Sequence, residues 1–412
     1  MRVTNSMLTD LVQRNINQSL SVLQKLQMRL ASGKALLEAS DDPVGASLAM
    51  GLRAAIAARE QFQRNGDSAR DRLSAAEKAL DNIQPLLVDV RGLAVKGADD
   101  TGGAEQRSIL ADQVNQFLEA LLDLSMSRFG DDYLFGGTEV RTAPYTATRN
   151  GSRPTTLAGF NAVADPAVAL DAAGLPGAVT TGGFSVSIYN AAGAVTSSGT
   201  VTVTAGATTL NDLATALSAL GLGAVVGGDN RLTITAPAGG SFTLTNDTSG
   251  ALAALGLNTF TPGEISAVAA NPKGISGQQL HEILSGVTIA ANVTGPEVFA
   301  GSVDLFQTLI TLRDALRANN TPAISATLTS LDAGTGQVSA ANGSIGGRIQ
   351  RLDAAQDILT ADLMRVKELL SRIEDADIAE TTLDFQRQQQ VFEASLQAGA
   401  RLIQPSLLDF LR

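Results

Sequence analysis

Apolar residues recur at alternating spacings of four and three between Ile324 and Ile373. The positions in this repeat are Ile324, Leu328, Leu331, Thr335, Val338, Asn342, Ile345, Ile349, Leu352, Gln356, Leu359, Leu363, Val366, Leu370 and Ile373. A repeat held at 3.5 residues per turn is typical of coiled-coil packing, because it keeps one stripe of the helix against a partner helix. The pattern therefore predicts one helix roughly 75 Å long, at a rise of 1.5 Å per residue.

This repeat fails at Glu374–Asp377, and a second apolar stripe begins out of phase with the first. Its members are Ile378, Phe385, Phe392, Leu396, Ile403 and Phe410. One straight partner helix cannot cover two stripes that point in different directions. The pattern therefore predicts a joint, followed by a separate terminal helix.

The N-terminal part of the chain shows a similar arrangement. An amphipathic helix is indicated by Val12, Ile16, Leu20, Leu23, Leu26 and Leu30. Gly33 ends it, and Pro43 suits the first position of the next helix with Asp42 as its N-cap. That second helix keeps the coiled-coil spacing from Leu48 to Ala94, with a kink expected at Pro85, which lies off the stripe. A third helix follows from Leu110 to Leu124.

Some positions inside the long C-terminal helix break its pattern. The polar residues Thr335, Asn342 and Gln356 either set the register of a buried contact or mark places where the stripe is partly exposed. Several glycines lie between residues 334 and 347, and each costs up to about 1 kcal/mol relative to alanine. They indicate a close helix approach or a local break.

The middle of the chain changes to β-type patterning. Residues 154–263 contain no lysine or glutamate, and alternating runs occur at 184–188, 200–204, 232–235 and 242–245. A short helical pattern from Leu210 to Leu220 separates the second run from the third. These features predict a β-rich inserted domain with one helix, the alternative being a disordered Gly/Ala/Thr linker. Upstream of it, Tyr133–Thr138 is predicted as a strand entering a tight turn, with Tyr145 on the return strand.

The predicted fold class is α + β and multidomain. N- and C-terminal segments form a long coiled-coil-like helical rod, and a β-rich domain is inserted at the middle of the chain. The expected divisions are terminal helical assembly segments at 1–40 and 375–412, a rod domain with a β-hairpin at 41–150 and 300–374, and the insert at 151–299. Helices before and after the insert must pair, since each has one apolar face and no other partner of comparable length.

Composition excludes several function classes. The formal charge is −11 and the sequence pI is about 4.7, which argues against a nucleic-acid partner or an anionic membrane surface. The chain has no cysteine, so disulfides and thiolate metal sites are excluded. No segment reaches the roughly 20 apolar residues of a membrane span, so no membrane insertion is expected. The N-terminal residues lack a hydrophobic core and cleavage site, so any export is expected to proceed without a cleavable signal peptide.

The sequence also offers no convincing catalytic or metal motif. His281-Glu282 resembles the start of a zinc-protease motif, but residue 285 is serine where a second histidine is needed. Gly33-Lys34 lacks the upstream glycine of a phosphate loop. We therefore expect no enzyme activity, no cofactor and no metal.

The terminal stripes carry the sharpest functional expectation. An isolated pair of helices is marginally stable, because a two-helix contact buries only one side of each stripe. Burial of each Leu, Ile or Phe contributes roughly 1.5–3 kcal/mol only when it is complete. We therefore expect the stripes from Val12 to Leu30 and from Ile378 to Phe410 to complete their burial in other subunits. The alternative is packing onto the chain's own rod.

Several motifs resemble a known family. Leu30–Lys34 (LASGK) and Ser40–Pro43 (SDDP) resemble the N-terminal region of bacterial flagellin-like proteins. Tyr133–Thr138 (YLFGGT) and the ending Ala398–Leu402 (AGARL) with Ser406–Leu411 (SLLDFL) are similar to the hook-associated protein 3 family among them. The insert is more loosely similar to a module that recurs in these proteins.

This resemblance implies a structural, non-enzymatic subunit at the junction of flagellar hook and filament. Its implied partners are hook-associated protein 1, flagellin, an export chaperone and further copies of itself in a ring or tube layer. It also implies type III export to the extracellular flagellum, and terminal segments that fold as paired helices on assembly. Pro405 resembles flagellin endings instead, so a flagellin subunit is an alternative. A cytoplasmic coiled-coil adaptor is the other alternative that the stripes allow.

Overall fold

The computed structural model describes residues 5–99 and 102–403 of the chain. The described helices are α1 (Asn5–Ser32), α2 (Pro43–Ala98), α3 (Ala104–Ser125), α4 (Leu210–Ala219), α5 (Ala251–Ala254), α6 (Gly295–Phe299), α7 (Leu305–Arg317), α8 (Thr321–Glu374) and α9 (Ile378–Ile403). The described strands are β1 (Arg128–Phe129), β2 (Asp132–Tyr133), β3 (Tyr145–Arg149), β4 (Thr156–Ala158), β5 (Gly182–Tyr189), β6 (Val195–Val203), β7 (Gly223–Val226), β8 (Leu232–Thr235), β9 (Ser241–Thr245), β10 (Ile265–Ala270), β11 (Leu280–Leu284) and β12 (Val287–Ala290). This arrangement, helical toward both ends with small sheets between, confirms the predicted fold class.

The chain divides into two compact units. The first comprises Met1–Gly66, Glu282–Val287 and Asp353–Arg412, and the second comprises Asp67–His281 and Thr288–Leu352. Of this first unit, the structure describes residues 5–66, 282–287 and 353–403. The domain boundaries expected from the sequence follow other criteria and stay a prediction.

Helix α2 begins where the sequence predicts. The carboxylate of Asp42 accepts hydrogen bonds from the backbone N–H groups of Val44 (3.1 Å) and Gly45 (3.0 Å), which satisfies donors that have no partner within the helix. Pro43 occupies the first helical position, where its missing N–H costs nothing. The helix then continues as one element through Pro85 to Ala98.

Helices α2 and α8 run antiparallel within each unit. In the first unit, Gln63 donates to the hydroxyl of Thr360 at 3.2 Å. In the second unit, Asn342 donates to Asp81 at 2.9 Å and Arg91 to Asp332 at 2.6 Å. The predicted apolar stripe of α8 is buried at Ile324, Leu331, Val338, Ile345, Leu352, Leu359, Leu363 and Val366. Burial of the stripe, more than the exposed ion pairs, stabilises this pairing.

The glycines of α8 do not break the helix, which is continuous from Thr321 to Glu374. The local break that the sequence allowed is therefore wrong. A close approach occurs at Gly334, where an added Cβ would lie 2.3 Å from Cδ2 of Leu305. At Gly336 and Gly343 a Cβ would meet nothing within 4 Å.

The inserted region has its own core. Strands pair in the orders β6-β5-β9 and β4-β8-β7, and the alternating runs predicted from the sequence lie in β5, β6, β8 and β9. Helix α4 begins with a capping box in which Thr209 and Asp212 exchange hydrogen bonds. Its leucines pack into a cluster of fully buried side chains. Among them are Phe184, Val186, Val203, Leu213, Leu217, Ile234 and Phe242.

The second unit joins this core to its helices through a pair of strands and buried charges. Strand β3 pairs antiparallel with β10, so the expectation that Tyr145 returns against the Tyr133 strand is wrong. Arg317 of α7 donates to the buried carboxylate of Glu264 at 2.6 Å and to Asp112 at 2.9 Å. Each buried charge therefore has a partner, as such groups require.

Candidate assembly interface

Helix α1 presents a continuous stripe to α9 within the first unit. The stripe consists of Val12, Ile16, Ser19, Leu23, Leu26 and Leu30, which are the residues of α1 with reduced exposure at a four–three spacing. The leucine, isoleucine and valine side chains of this stripe are only half-buried, while Ser19 is buried. The sequence predicted all of these positions except Ser19, in whose place it had Leu20.

Helix α9 meets α1 through a stripe that is mostly polar or small. It consists of Thr381, Phe385, Gln388, Phe392, Ser395 and Gly399, again at heptad spacing. Gly399 lies against α1, since an added Cβ would be 3.0 Å from Cγ1 of Val12 and 3.5 Å from Cδ1 of Ile16. The absence of a side chain at residue 399 thus lets the two helices approach closely.

A polar contact lies in the middle of the α1–α9 stripe. The side-chain amide of Gln388 donates to the hydroxyl of Ser19 at 2.8 Å and to its backbone carbonyl at 3.3 Å. A partly buried polar pair between two packed helices favours one register, because any slip leaves both groups unpaired. The apolar periodicity of the sequence does not reveal this pair, because both of its members are polar.

The residues predicted for the interface fall into three groups. Val12, Ile16, Leu23, Leu26, Leu30, Phe385 and Phe392 are half-buried between α1 and α9. Leu20, Ile378 and Leu396 are exposed, and they flank the stripe rather than fill it. Ile403 is the last residue of α9, and Phe410 lies outside the described residues. Whether these side chains contact other subunits stays a prediction.

Both faces beside the α1–α9 contact remain apolar and exposed. The exposed residues are Leu11, Leu20, Val22 and Met28 of α1, with Ile378, Leu383, Val391 and Leu396 of α9. Along the described part of this pair, from 10 to 32 and from 378 to 400, buried positions occur only at Ser19, Thr381 and Gly399. In the second unit, by contrast, Leu80 and Leu87 of α2 are fully buried. The terminal pair therefore holds far more unburied apolar surface than the paired helices of the second unit.

In the first unit, the end of α1 lies beside the joint between α8 and α9. Gly33 adopts a φ of +68°, a conformation that glycine tolerates and that ends α1. The N–H of Ala35 donates to the carbonyl of Glu374 at 2.6 Å, and the N–H of Ala376 donates to the carbonyl of Gly33 at 2.9 Å. The joint predicted at Glu374–Asp377 is thus a backbone bridge between the two breaks.

Charged side chains surround this bridge. The ammonium of Lys34 donates to Asp375 at 2.6 Å, and this hydrogen bond raises the pKa of Lys34 against the opposing effect of desolvation. The same bond, followed by one from Ser371, lowers the pKa of Asp375. The nearly buried carboxylate of Glu374 forms an ion pair with Arg53 at 2.6 Å without hydrogen-bond geometry. Both partners of the Lys34–Asp375 pair therefore stay charged across the neutral range.

The described residues show no chemistry of another kind. They contain no group of three or more His, Asp or Glu side chains placed to hold a metal ion. None of their helices combines the length and the apolar character that crossing a membrane requires. The arrangement offers helix surfaces and hydrogen-bonded joints, which serve in packing between protein surfaces.

Comparison with known proteins identifies the family. The model of the bacterial flagellin N-terminal helical region matches residues 3–139, and that of the C-terminal helical region matches residues 328–411. Together the two matches span more than half of the chain, and they include α1 and α9. The chain belongs to the flagellin family. Its β-rich middle, which holds β3 to β12, lies outside both matches.

Curated relatives within the flagellin family carry two kinds of name. Flagellar hook-associated protein 3 of Escherichia coli K12 is 26% identical over 147 residues, which cover 35% of this chain and 46% of the relative. The protein of the same name from Salmonella typhimurium is 26% identical over 152 residues, covering 37% and 48%. A flagellin of Halalkalibacterium halodurans is 31% identical over 108 residues, covering 26% and 40%. Each match thus spans less than half of the relative.

Solved structures give a weaker similarity. Xanthomonas campestris FlgL superposes with a TM-score of 0.38 at 16% identity, covering 78% of this chain and 99% of that one. Flagellar hook associated protein-3 from Legionella pneumophila gives 0.39 at 14% identity, covering 78% and 98%. TM-scores below 0.5 do not establish a shared overall arrangement.

Proposed function

We propose that this chain is a structural subunit of the bacterial flagellum, of the hook-associated protein 3 type. In this role it joins the hook, through hook-associated protein 1, to the flagellin filament. The observation that carries the proposal is the incomplete burial of α1 and α9, which lie in the parts of the chain that the flagellin-family models match. A helix pair with apolar flanks on both sides is suited to further burial against neighbouring subunits.

The incompletely buried apolar surface of α1 and α9 supports a role in packing between subunits, which is non-enzymatic. A fully buried apolar side chain contributes about 1.5–3 kcal/mol to stability. The seven apolar residues between α1 and α9 are only half-buried, so each of them stabilises the pair by less than this. Covering Leu11, Leu20, Val22 and Met28 on α1 adds to this only when another subunit is present. Assembly therefore supplies stabilisation that the free chain lacks.

The remaining parts of the proposal follow from the family. The subunit leaves the cell through the flagellar type III export channel with a chaperone, and it resides in the extracellular flagellum. There it packs with further copies of itself in one layer of the tube. Such a subunit needs top and bottom surfaces that differ, since a contact that repeats would extend the layer into a filament.

Two experiments test the junction role. Cells that lack this protein should build hooks but release flagellin monomers into the medium, which immunoblotting of the culture supernatant detects. Purified protein added to isolated hook fragments should cap them without growing, as seen by negative-stain microscopy. Retention of flagellin on cells without this protein would contradict the proposal.

A flagellin filament subunit is the second candidate. The 31% identity to the flagellin of Halalkalibacterium halodurans favours it. Long self-polymers growing from hook fragments would establish this role and exclude the junction role. A cytoplasmic coiled-coil adaptor would instead be absent from flagella sheared off the cell. Mass spectrometry of sheared flagella therefore distinguishes an adaptor from a junction subunit or a filament subunit.

A further inference from the structure

One sheet of the inserted region has a long outer strand, and no strand pairs with the outer side of it. Strand β6 spans 9 residues, Val195–Val203, and is the outer strand in the order β6-β5-β9. No other strand of the described chain pairs with it beyond β5. Its free edge therefore presents backbone donors and acceptors to solvent.

The hydrogen bonds of β5 show which groups of β6 face outward. The carbonyl of Gly183 accepts from Thr248, on the β9 side of the strand, at 2.9 Å. Backbone groups alternate in direction along a strand, so those of Gly182, Phe184, Val186 and Ile188 point toward β6. Their partners in the register are Val203, Val201, Gly199 and Ser197. The residues that alternate with these partners in the regular ladder therefore direct their N–H and C=O groups away from the sheet: Ser198, Thr200 and Thr202.

Apart from a bulge at its hairpin end, this edge lacks the features that usually prevent strand addition. Natural edges are protected by charged side chains, proline, bulges or short length. Residues 195–203 contain no charged residue and no proline. The one register shift in the β5–β6 ladder is a bulge at Thr196, which the pairing skips between Ser197 and Val195, so the regular edge runs from Ser197 to Val203. The other outer strands of these two sheets are shorter, with 5 residues in β9, 4 in β7 and 3 in β4.

We propose that the β6 edge pairs with β6 of a second copy of this chain, antiparallel and centred on Gly199. This pairing places Ser198 opposite Thr200, twice by symmetry, on either side of the central pair of Gly199 residues. The backbone groups of both residues face outward, so the regular part of the edge would form about four intermolecular hydrogen bonds. The contact is independent of the terminal helices and goes beyond the proposed junction role.

The side chains fit a second copy better than a different partner. Ser198, Thr200 and Thr202 all carry hydroxyl groups on the exposed face, and pairs of Thr or Ser directly opposite each other stabilise antiparallel strands. Because the strand carries no charge, the symmetric pairing brings no like charges together. At the centre, Gly199 has no room for a side chain, since an added Cβ would lie 2.6 Å from Cδ2 of Leu220. Two glycines therefore meet at the symmetry axis without obstruction.

Introduced cysteines test the register, because the natural sequence has none. Protein carrying Ser198→Cys should form a disulfide with protein carrying Thr200→Cys under mild oxidation, since paired residues bring their Cα atoms to about 5.5 Å, within disulfide range. Two Ser198→Cys copies lie on a diagonal of about 7–8 Å and should cross-link much less. Val225→Cys on the edge of β7 serves as the control for random collision. Equal cross-linking in the three mixtures would overturn the proposal.

A second measurement tests whether two copies of the chain associate in solution. Sedimentation of the full-length chain should show dimers, and Thr200→Pro should weaken them about tenfold or more because it removes an outward N–H from each copy. That N–H has no role within the sheet, so circular dichroism should stay unchanged. Ser198→Lys should abolish the dimer, whereas Val225→Lys adds the same charge elsewhere in the insert and should leave it intact. A chain that is monomeric at all concentrations, or a dimer that Val225→Lys disrupts as strongly, would refute this pairing.

Discussion

The glycines of α8 give a sharp test of how the helix is held. At Gly336, Gly343, Gly346 and Gly347 an added Cβ would meet nothing within 4 Å. All four lie in the second unit, inside a continuous helix. Replacing them with alanine therefore changes helix propensity without adding a clash or a buried contact.

The magnitude follows from helix propensity. Each glycine in a helix interior costs about 0.5–1 kcal/mol relative to alanine, because the unfolded chain loses more conformational freedom at glycine. None of the four alanine methyl groups would contact a side chain within 4 Å, so their effects should add. The fourfold Gly→Ala variant should raise the free energy of unfolding of the second unit by about 2–4 kcal/mol.

Urea denaturation followed by circular dichroism at 222 nm measures this change as a shift of the transition midpoint at constant slope. Gly334→Ala is the matched control in the same helix. Its Cβ would lie 2.3 Å from Cδ2 of Leu305, so this change should destabilise the protein even though helix propensity improves. A fourfold variant that is no more stable than the natural protein would show that these glycines do not lie in a regular, uncovered helix.

Three further predictions concern other parts of the molecule. Arg317→Leu leaves the buried carboxylate of Glu264 without its main partner and should lower the free energy of unfolding by about 3–5 kcal/mol. Replacing residues 154–263 by a short Gly/Ser linker should preserve the helical circular dichroism signal, because this region has its own core. Protonation of Asp375 weakens its bond to Lys34, so the protection of amides at the joint, relative to an unstructured amide at the same pH, should fall as the pH falls through the lowered pKa of Asp375.

Each of these predictions has a control. Arg231 forms an exposed pair with Asp229 at 3.7 Å, and Arg231→Leu should cost less than about 1 kcal/mol. Loss of helical signal in the linker variant would show that the insert is part of the helical core. Stability from Asp375 is present above pH 3.8 and is lost on acidification, so Asp375→Asn should remove the pH dependence of the protection at Ala35 and Ala376, measured relative to unstructured amides at the same pH. Persistence of that dependence would assign it to another carboxylate.

Sequence periodicity predicted the elements that bury one apolar face. The stripe from Ile324 to Val366 was recognisable because its members are nearly all aliphatic and its helix is paired along its length. The strands of the insert were recognisable for a similar reason, since alternation reflects one buried face. The α1 stripe that faces α9 follows the predicted spacing at five of its six positions, because those five are aliphatic, whereas its role in assembly stays a prediction.

The contact surface of α9 could not be predicted in this way. It contains Gln388 and Gly399, whose roles depend on Ser19 and Val12 across a distance of hundreds of residues in the chain. Apolar periodicity instead selected Ile378 and Leu396, which are exposed on the flanks. The pairing of β3 with β10 was missed for a related reason, because a two-strand ladder between distant segments leaves no local turn signal.

Amide hydrogen exchange of the free and the assembled chain tests the central claim most directly. Amides of α1 and α9 should exchange rapidly in the free protein and become protected when it binds hook fragments, because neighbouring subunits cover their apolar flanks. Those of residues 69–94 in α2, whose apolar stripe is already buried, should show the same protection in both states. Protection of α1 and α9 in the free chain equal to that of residues 69–94, with no gain on binding, would contradict the proposed assembly role.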